Sequence, residues 1–175
     1  MTYKRLFVLL EGDDDERFLR SIIVELFRDK FDSIIPFQYA QKNPKMIDKF
    51  IRSIRSMNAD YLYLGDINNE PCISGKKSKI ESKLREMNNS KMVIVVREIE
   101  SWYLAGLDDS NCKKLKVSII RNTDNLTKEK FFQLKPKSFS SKKDFMIEIL
   151  KHFSLNTAVR KNKSFKYFIQ KYIPK

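Results

Sequence analysis

Leu6 to Leu19 reads L-F-V-L-L-E-G-D-D-D-E-R-F-L. Leu6 to Leu10 is apolar without alternation, the pattern of a strand buried on both faces of a helix-covered parallel sheet. Glu11, Gly12 and the acidic run Asp13 to Glu16 follow at once. Then Phe18, Leu19, Ile22, Ile23, Leu26 and Phe27 recur at the helical period, predicting a helix over about 13–28. Asp13 with Glu16 has the spacing of a capping box. Carboxylates therefore gather where the first strand ends and the first helix begins. In open α/β sheets that crevice collects ligands.

Working outward, the strand–helix alternation repeats. A second strand is predicted at 34–39, with Pro36 pushing it to a sheet edge. A helix over 44–57 buries Met46, Ile47, Phe50, Ile51 and Ile54. Tyr61 to Leu64 reads as a third strand, followed by Gly65-Asp66-Ile67-Asn68. A helix over 77–87, a strand over 92–96 and a short helix at 101–104 complete four alternations. The fold class expected is α/β with a parallel, Rossmann-like sheet. If the acidic strand ends share one site, the strand order is 2-1-3-4, and right-handed crossovers place helices on both faces. Beyond Leu107, Cys112 to Ile120 suggests a strand. Helices are expected at 128–134, at 142–153 and after Ser164.

The net charge is +13 over 175 residues, and its distribution is uneven. Residues 1–109 balance 18 Lys and Arg against 18 Asp and Glu; residues 110–175 hold 17 basic and 4 acidic residues, which is the whole excess. We read residues 1–108 as an α/β core and 109–175 as a basic, mainly helical extension of the same domain. A basic surface joined to a neutral core is the footprint of a polyanion binder, although lysine-rich surfaces also serve solubility. Lys113, Lys114, Lys135, Lys137, Lys142 and Lys143 are the candidate phosphate contacts. Cys72 and Cys112 offer neither a disulfide framework nor zinc spacing, and His152 sits on a helix face. No apolar run approaches the roughly 20 residues of a membrane span, and no leader segment precedes the first strand. No membrane partner is expected, and the cytoplasm is the expected location.

Three strand ends carry carboxylates: Glu11 with Asp15, Asp66 with Asn68, and Glu98 with Glu100. Clustered oxygen ligands suit a hard cation such as Mg²⁺ or Mn²⁺. Each group also has a structural use. The first complements a helix dipole, the second suits a turn, and the third can cap a helix. Their recurrence directly after apolar strands favours a metal site.

Glu11 to Asp15, an E-x-x-x-D arrangement, resembles the first motif of TOPRIM domains, as found in the overcoming-lysogenization-defect (OLD) nucleases. Leu62 to Asn68 resembles the D-x-D segment after the third TOPRIM strand, with Asn68 replacing its second Asp. Arg97 to Trp102 is similar to an E-x-E-x-W segment of small stand-alone TOPRIM-like proteins. The resemblance covers about residues 4–107. It implies a Mg²⁺-dependent DNA or RNA nuclease or strand-transfer domain, and we expect a small nuclease acting in defence or repair. Glu11 would be general base or metal ligand, and Asp15, Asp66 and Asn68 would place metal. Glu98 and Glu100 are the candidates for the last catalytic carboxylate. The Asn68 replacement supports an alternative, a non-catalytic nucleic-acid-binding protein of the same fold. A receiver-like signalling domain would use Asp13-Asp14, Asp66 and Lys135-Pro136. It leaves Glu11-Gly12 and the basic region unexplained. Ser74 to Ser78 has the composition of a phosphate loop but lacks the earlier glycine, since Glu70 stands there.

Overall fold

The computed structural model describes residues 3–173 and divides into two compact units, Met1–Ile94 and Val95–Lys175. This packing boundary falls ahead of the charge boundary near residue 108.

In the first unit the elements are β1 (Arg5–Leu10), α1 (Asp13–Phe18), α2 (Val24–Phe27), β2 (Ser33–Gln38), α3 (Pro44–Ser56), β3 (Asp60–Asp66), α4 (Ile73–Lys83) and β4 (Met92–Val95). The strands form one parallel sheet in the order β2-β1-β3-β4, as expected from the acidic strand ends and Pro36. Val8 lies opposite Pro36 on one side and Leu62 on the other. Edge placement leaves Pro36's missing N–H at no cost to the ladder. Phe7, Leu9, Tyr61 and Tyr63 alternate onto one face and cluster with Ile47, Ile51 and Ile54 of α3 and Ile80 of α4. Leu6, Val8, Leu10, Leu62 and Leu64 are buried too, so the central strands are enclosed on both faces. The right-handed crossover rule puts α1 and α2 opposite α3 and α4.

The first helix departs from the expected register in two ways. Its N-cap is Gly12, not Asp13, and Asp15 rather than Glu16 reaches back to accept the Gly12 N–H at 3.0 Å. Between α1 and α2 a π-helical turn, Leu19–Ile23, inserts one residue. The buried set is therefore Phe18, Leu19, Ile23 and Phe27, while Ile22 and Leu26 are only half-buried. Helix α4 begins four residues earlier than expected. The Cys72 sulfur serves as its cap, accepting from Gly75 N at 3.4 Å. A thiol is not an ordinary capping group, so the sequence carries no standard start signal there.

The second unit holds α5 (Glu100–Ala105), α6 (Asp109–Leu115), α7 (Lys128–Leu134), α8 (Lys142–Lys151), α9 (Leu155–Lys161) and α10 (Lys163–Tyr172). Cys112 to Ile120 is not a strand. Asp108 caps α6 by accepting from Asn111 N at 2.8 Å, and Lys116 ends it at φ 57°. The apolar alternation of Leu115, Val117 and Ile119 imitated a strand. Trp102 centres this unit. Its ring stacks on Phe168 and meets Phe165 edge-on, and its Nε1 donates to Ser164 Oγ at 2.8 Å. Ser164 donates to Asn162 Oδ1, and Asn162 caps α10. The expected cap Ser164 thus lies inside the helix, spent on the tryptophan.

Gly106 follows α5, and a Cβ there would lie 2.1 Å from the Phe153 ring. Overpacking against a rigid ring costs about 1–3 kcal/mol. Gly106→Ala should lower the urea midpoint accordingly. An unchanged midpoint would mean that the ring is not held where the structure puts it.

Candidate functional site

The carboxylates after β1 and at the end of β3 lie at the same end of the sheet, because these strands are parallel neighbours. Leu9 pairs with Tyr63. Glu11 directly follows the last residue of β1, and Asp66 is the last residue of β3. The charges of Glu11, Asp66 and Asp15 all reach the Tyr63 phenol. Burial is the main reason that phenol is pushed up to about 12, and the three carboxylates add to it. Tyr39, just past β2, is also raised, by burial first and then by Tyr63, Glu11 and Asp15. The two rings stack at 4.8 Å and Tyr63 Oη donates to Tyr39 Oη at 2.7 Å. Both phenols thus stay protonated at neutral pH beside the acidic strand ends.

The glycines beside the carboxylates differ in use. A Cβ at Gly12 would meet nothing within 4 Å, so the turn after Glu11 is open to a ligand. A Cβ at Gly65 would lie 2.7 Å from Tyr39 Oη and 2.8 Å from Tyr63 Cε1. Gly65 therefore makes room for the tyrosine pair rather than for a phosphate. A polar cavity of about 290 Å³ lies beside Glu11 and Gly12, bordered by Asp13, Gln38 and Lys42. Gln38 closes part of it by donating to Asp13 Oδ1 and Glu16 Oε2.

Asp15 is buried, and its Oδ2 holds the Gly12 N–H, which fixes the backbone after Glu11. Asp66 is half-buried. Asn68 is exposed, at φ 53°. A left-handed turn residue favours asparagine, which accounts for Asn68 without a ligand. Among the described residues, no group of three or more His, Cys, Asp or Glu is arranged to hold a metal ion. A Mg²⁺ ion needs only one or two carboxylates when water and substrate phosphates complete its shell. Glu11 and Asp66 have that donor chemistry.

Glu98 and Glu100 are bound within the second unit. Glu98 accepts the Lys128 N–H at the start of α7. Glu100, with 5% of its side chain exposed, pairs with Lys142. Of the candidate phosphate contacts, Lys113, Lys114, Lys137 and Lys143 are exposed. Lys135 is half-buried and donates to Phe139 O at 2.6 Å. Lys142 faces the Glu100 carboxylate. Lys135-Pro136 follows helix α7 and not a strand, so the receiver arrangement is not met.

Sequence reasoning missed Tyr39 and Tyr63. Tyrosines at the ends of two strands, with a glycine two residues beyond Tyr63, were the available signal. Among the described residues no helix is long and apolar enough to cross a membrane.

No protein-family description matches the chain, and no curated protein sequence does. Two solved structures share its fold. The C-terminal region of the Xanthomonas campestris pv. campestris OLD protein aligns at TM-score 0.50 and 14% identity, over 98% of this chain and 95% of that one. The C-terminal region of the Burkholderia pseudomallei OLD protein aligns at TM-score 0.53 and 15% identity, over 97% and 98%. The likeness at such identities is one of fold. It bears out the resemblance drawn from the Glu11–Asp15 and Leu62–Asn68 segments.

Two outcomes follow from the buried charges. Lys142→Met leaves the Glu100 carboxylate buried without its cation and should cost about 3 kcal/mol in urea unfolding. Adding Glu100→Gln should restore most of it. Tyr63 is raised in the folded state, so its contribution is complete below pH 10 and is lost as pH rises through about 12. Tyr63→Phe should flatten the fall in stability between pH 10 and 12, measured by denaturation at each pH.

Proposed function

Starting from a fold shared with the C-terminal regions of OLD proteins, we propose that this chain is a phosphodiesterase that cleaves nucleic acid, DNA or RNA, with Mg²⁺ or Mn²⁺ as cofactor. One observation carries the reading: β1 and β3 are parallel neighbours, so Glu11, which follows β1, and Asp66, which ends β3, lie at the same end of two adjacent buried strands, with Asp15 in the first turn of α1. Glu11 and Asp66 would hold the cation, with the Asn68 amide oxygen as a neutral addition. A divalent cation there would draw charge from a phosphodiester oxygen and make a water more acidic. Asp15 orients Glu11 by fixing the Gly12 N–H. The open side of Gly12 admits a phosphate without a Cβ in its path. The exposed lysines Lys113, Lys114, Lys137 and Lys143 supply sequence-tolerant attraction to the backbone, and binding weakens steeply with salt.

Asn68 favours one second reading. A neutral side chain at that position weakens cation binding, leaving a protein that binds nucleic acid without cutting it. The two readings separate in one experiment. For the phosphodiesterase, saturating Mg²⁺ raises the melting temperature by roughly 5–10 °C, since at a hundredfold excess over Kd the cation stabilises by about 2.7 kcal/mol. Glu11→Gln removes both that rise and the cleavage, and leaves the metal-free protein at least as stable, because like charges near Asp66 are relieved. A rise and cleavage that survive Glu11→Gln would contradict the assignment; strand binding without cleavage at any Mg²⁺ or Mn²⁺ concentration would favour the second reading.

A further inference from the structure

A second cavity, of about 200 Å³, opens between α3 and α4 on the sheet face that carries the tyrosine pair. Its floor is apolar: Tyr63, Ile47, Ile80 and Leu84 are all buried core residues. Its rim is cationic, with Lys76 and Lys83 on α4, and Tyr39 half-buried at its edge. Lys79 lies between the two lysines on the same edge and is paired with Glu70, whose carboxylate also acts on Lys76 and Lys83, so three lysines against one carboxylate leave the rim net positive. The volume is below the roughly 300–1,000 Å³ of sites for drug-sized ligands, so it suits one planar ring system. An aromatic and aliphatic floor with ammonium groups at its edge is the chemistry that holds a base by its face and the flanking backbone by its charge.

We propose that this groove binds a single unpaired nucleotide of a nucleic-acid strand, and the inference rests on the nucleic-acid reading above. The spacing of the rim carries the choice of a strand over a free nucleotide. Lys76 and Lys83 are seven residues apart, about 10 Å along the helix axis. That separation serves two phosphates, those on either side of one nucleotide, better than one. A paired base is stacked inside its duplex and cannot enter. Tyr63 belongs both to the groove floor and to the carboxylate cluster of Glu11, Asp15 and Asp66. The groove therefore reads the strand beside the site where it would be cut, and gives the protein a preference for single-stranded or frayed substrate.

The test uses the full chain, isotope-labelled at isoleucine methyl groups, with short oligothymidylate, a blunt duplex of matched length and free thymidine monophosphate as probes. Oligothymidylate should shift the Ile47 and Ile80 methyl resonances, with the duplex leaving them in place and the monophosphate moving them only weakly. The double variant Lys76→Gln, Lys83→Gln should bind oligothymidylate about tenfold more weakly and lower the salt slope by about 1.4, at about 0.7 per phosphate on a single strand. Methyl groups unmoved at saturating oligothymidylate overturn the proposal, as does a double variant that binds like the wild type. Full occupancy by the monophosphate with no gain from a strand overturns the choice of a strand. If Glu11→Gln abolishes cleavage while the methyl groups stay unmoved, the groove fails and the phosphodiesterase stands. If the methyl groups shift and no cleavage occurs, the groove stands and the phosphodiesterase fails.

Discussion

Carboxylates placed at the ends of two neighbouring buried strands repel each other, and the sheet brings them together regardless. Leu6 to Leu10 and Tyr61 to Leu64 are enclosed on both faces, so β1 and β3 cannot slide or separate without exposing the core. Their parallel pairing puts Glu11, just after β1, and Asp66, the last residue of β3, at the same end of the sheet. Burial disfavours the Tyr63 phenolate, and the charges of Glu11, Asp66 and Asp15 add to that.

Much of this was legible in the sequence, for definite reasons. The uninterrupted apolar run Leu6–Leu10 fits a doubly buried strand, and its five-residue length before Glu11-Gly12 suits a strand better than a helix. Pro36 can only sit at an edge, and those two facts with the acidic strand ends give the order 2-1-3-4. What was not legible depended on groups without a local signature. The sulfur cap of Cys72 shifted α4. Asp15 took the capping role assigned to Glu16, because the helix starts one residue earlier than Asp13 implied. The alternation around Val117 copied a strand. The role of Gly65 follows from Tyr39, which is distant in sequence, and no local pattern connects them.

The basic unit teaches a complementary lesson. Charge counts mark residues 110–175 as strongly basic, yet they do not tell which lysines point outward. Lys142 pairs with buried Glu100, and Lys135 is spent on the Phe139 carbonyl. Glu100 is held because an unpaired buried carboxylate would be costly. Glu98 closes the first turn of α7. Trp102, with Ser164 and Asn162 tied to it, gives these helices a common core.

The central claim is that Glu11 and Asp66 form one cation site. Anomalous scattering from crystals grown with Mn²⁺ tests it most directly, since the ion's position is seen without reference to activity. The account predicts a single strong peak within about 2–2.5 Å of oxygens from both Glu11 and Asp66. A peak bound elsewhere, or none at saturating Mn²⁺, would contradict it.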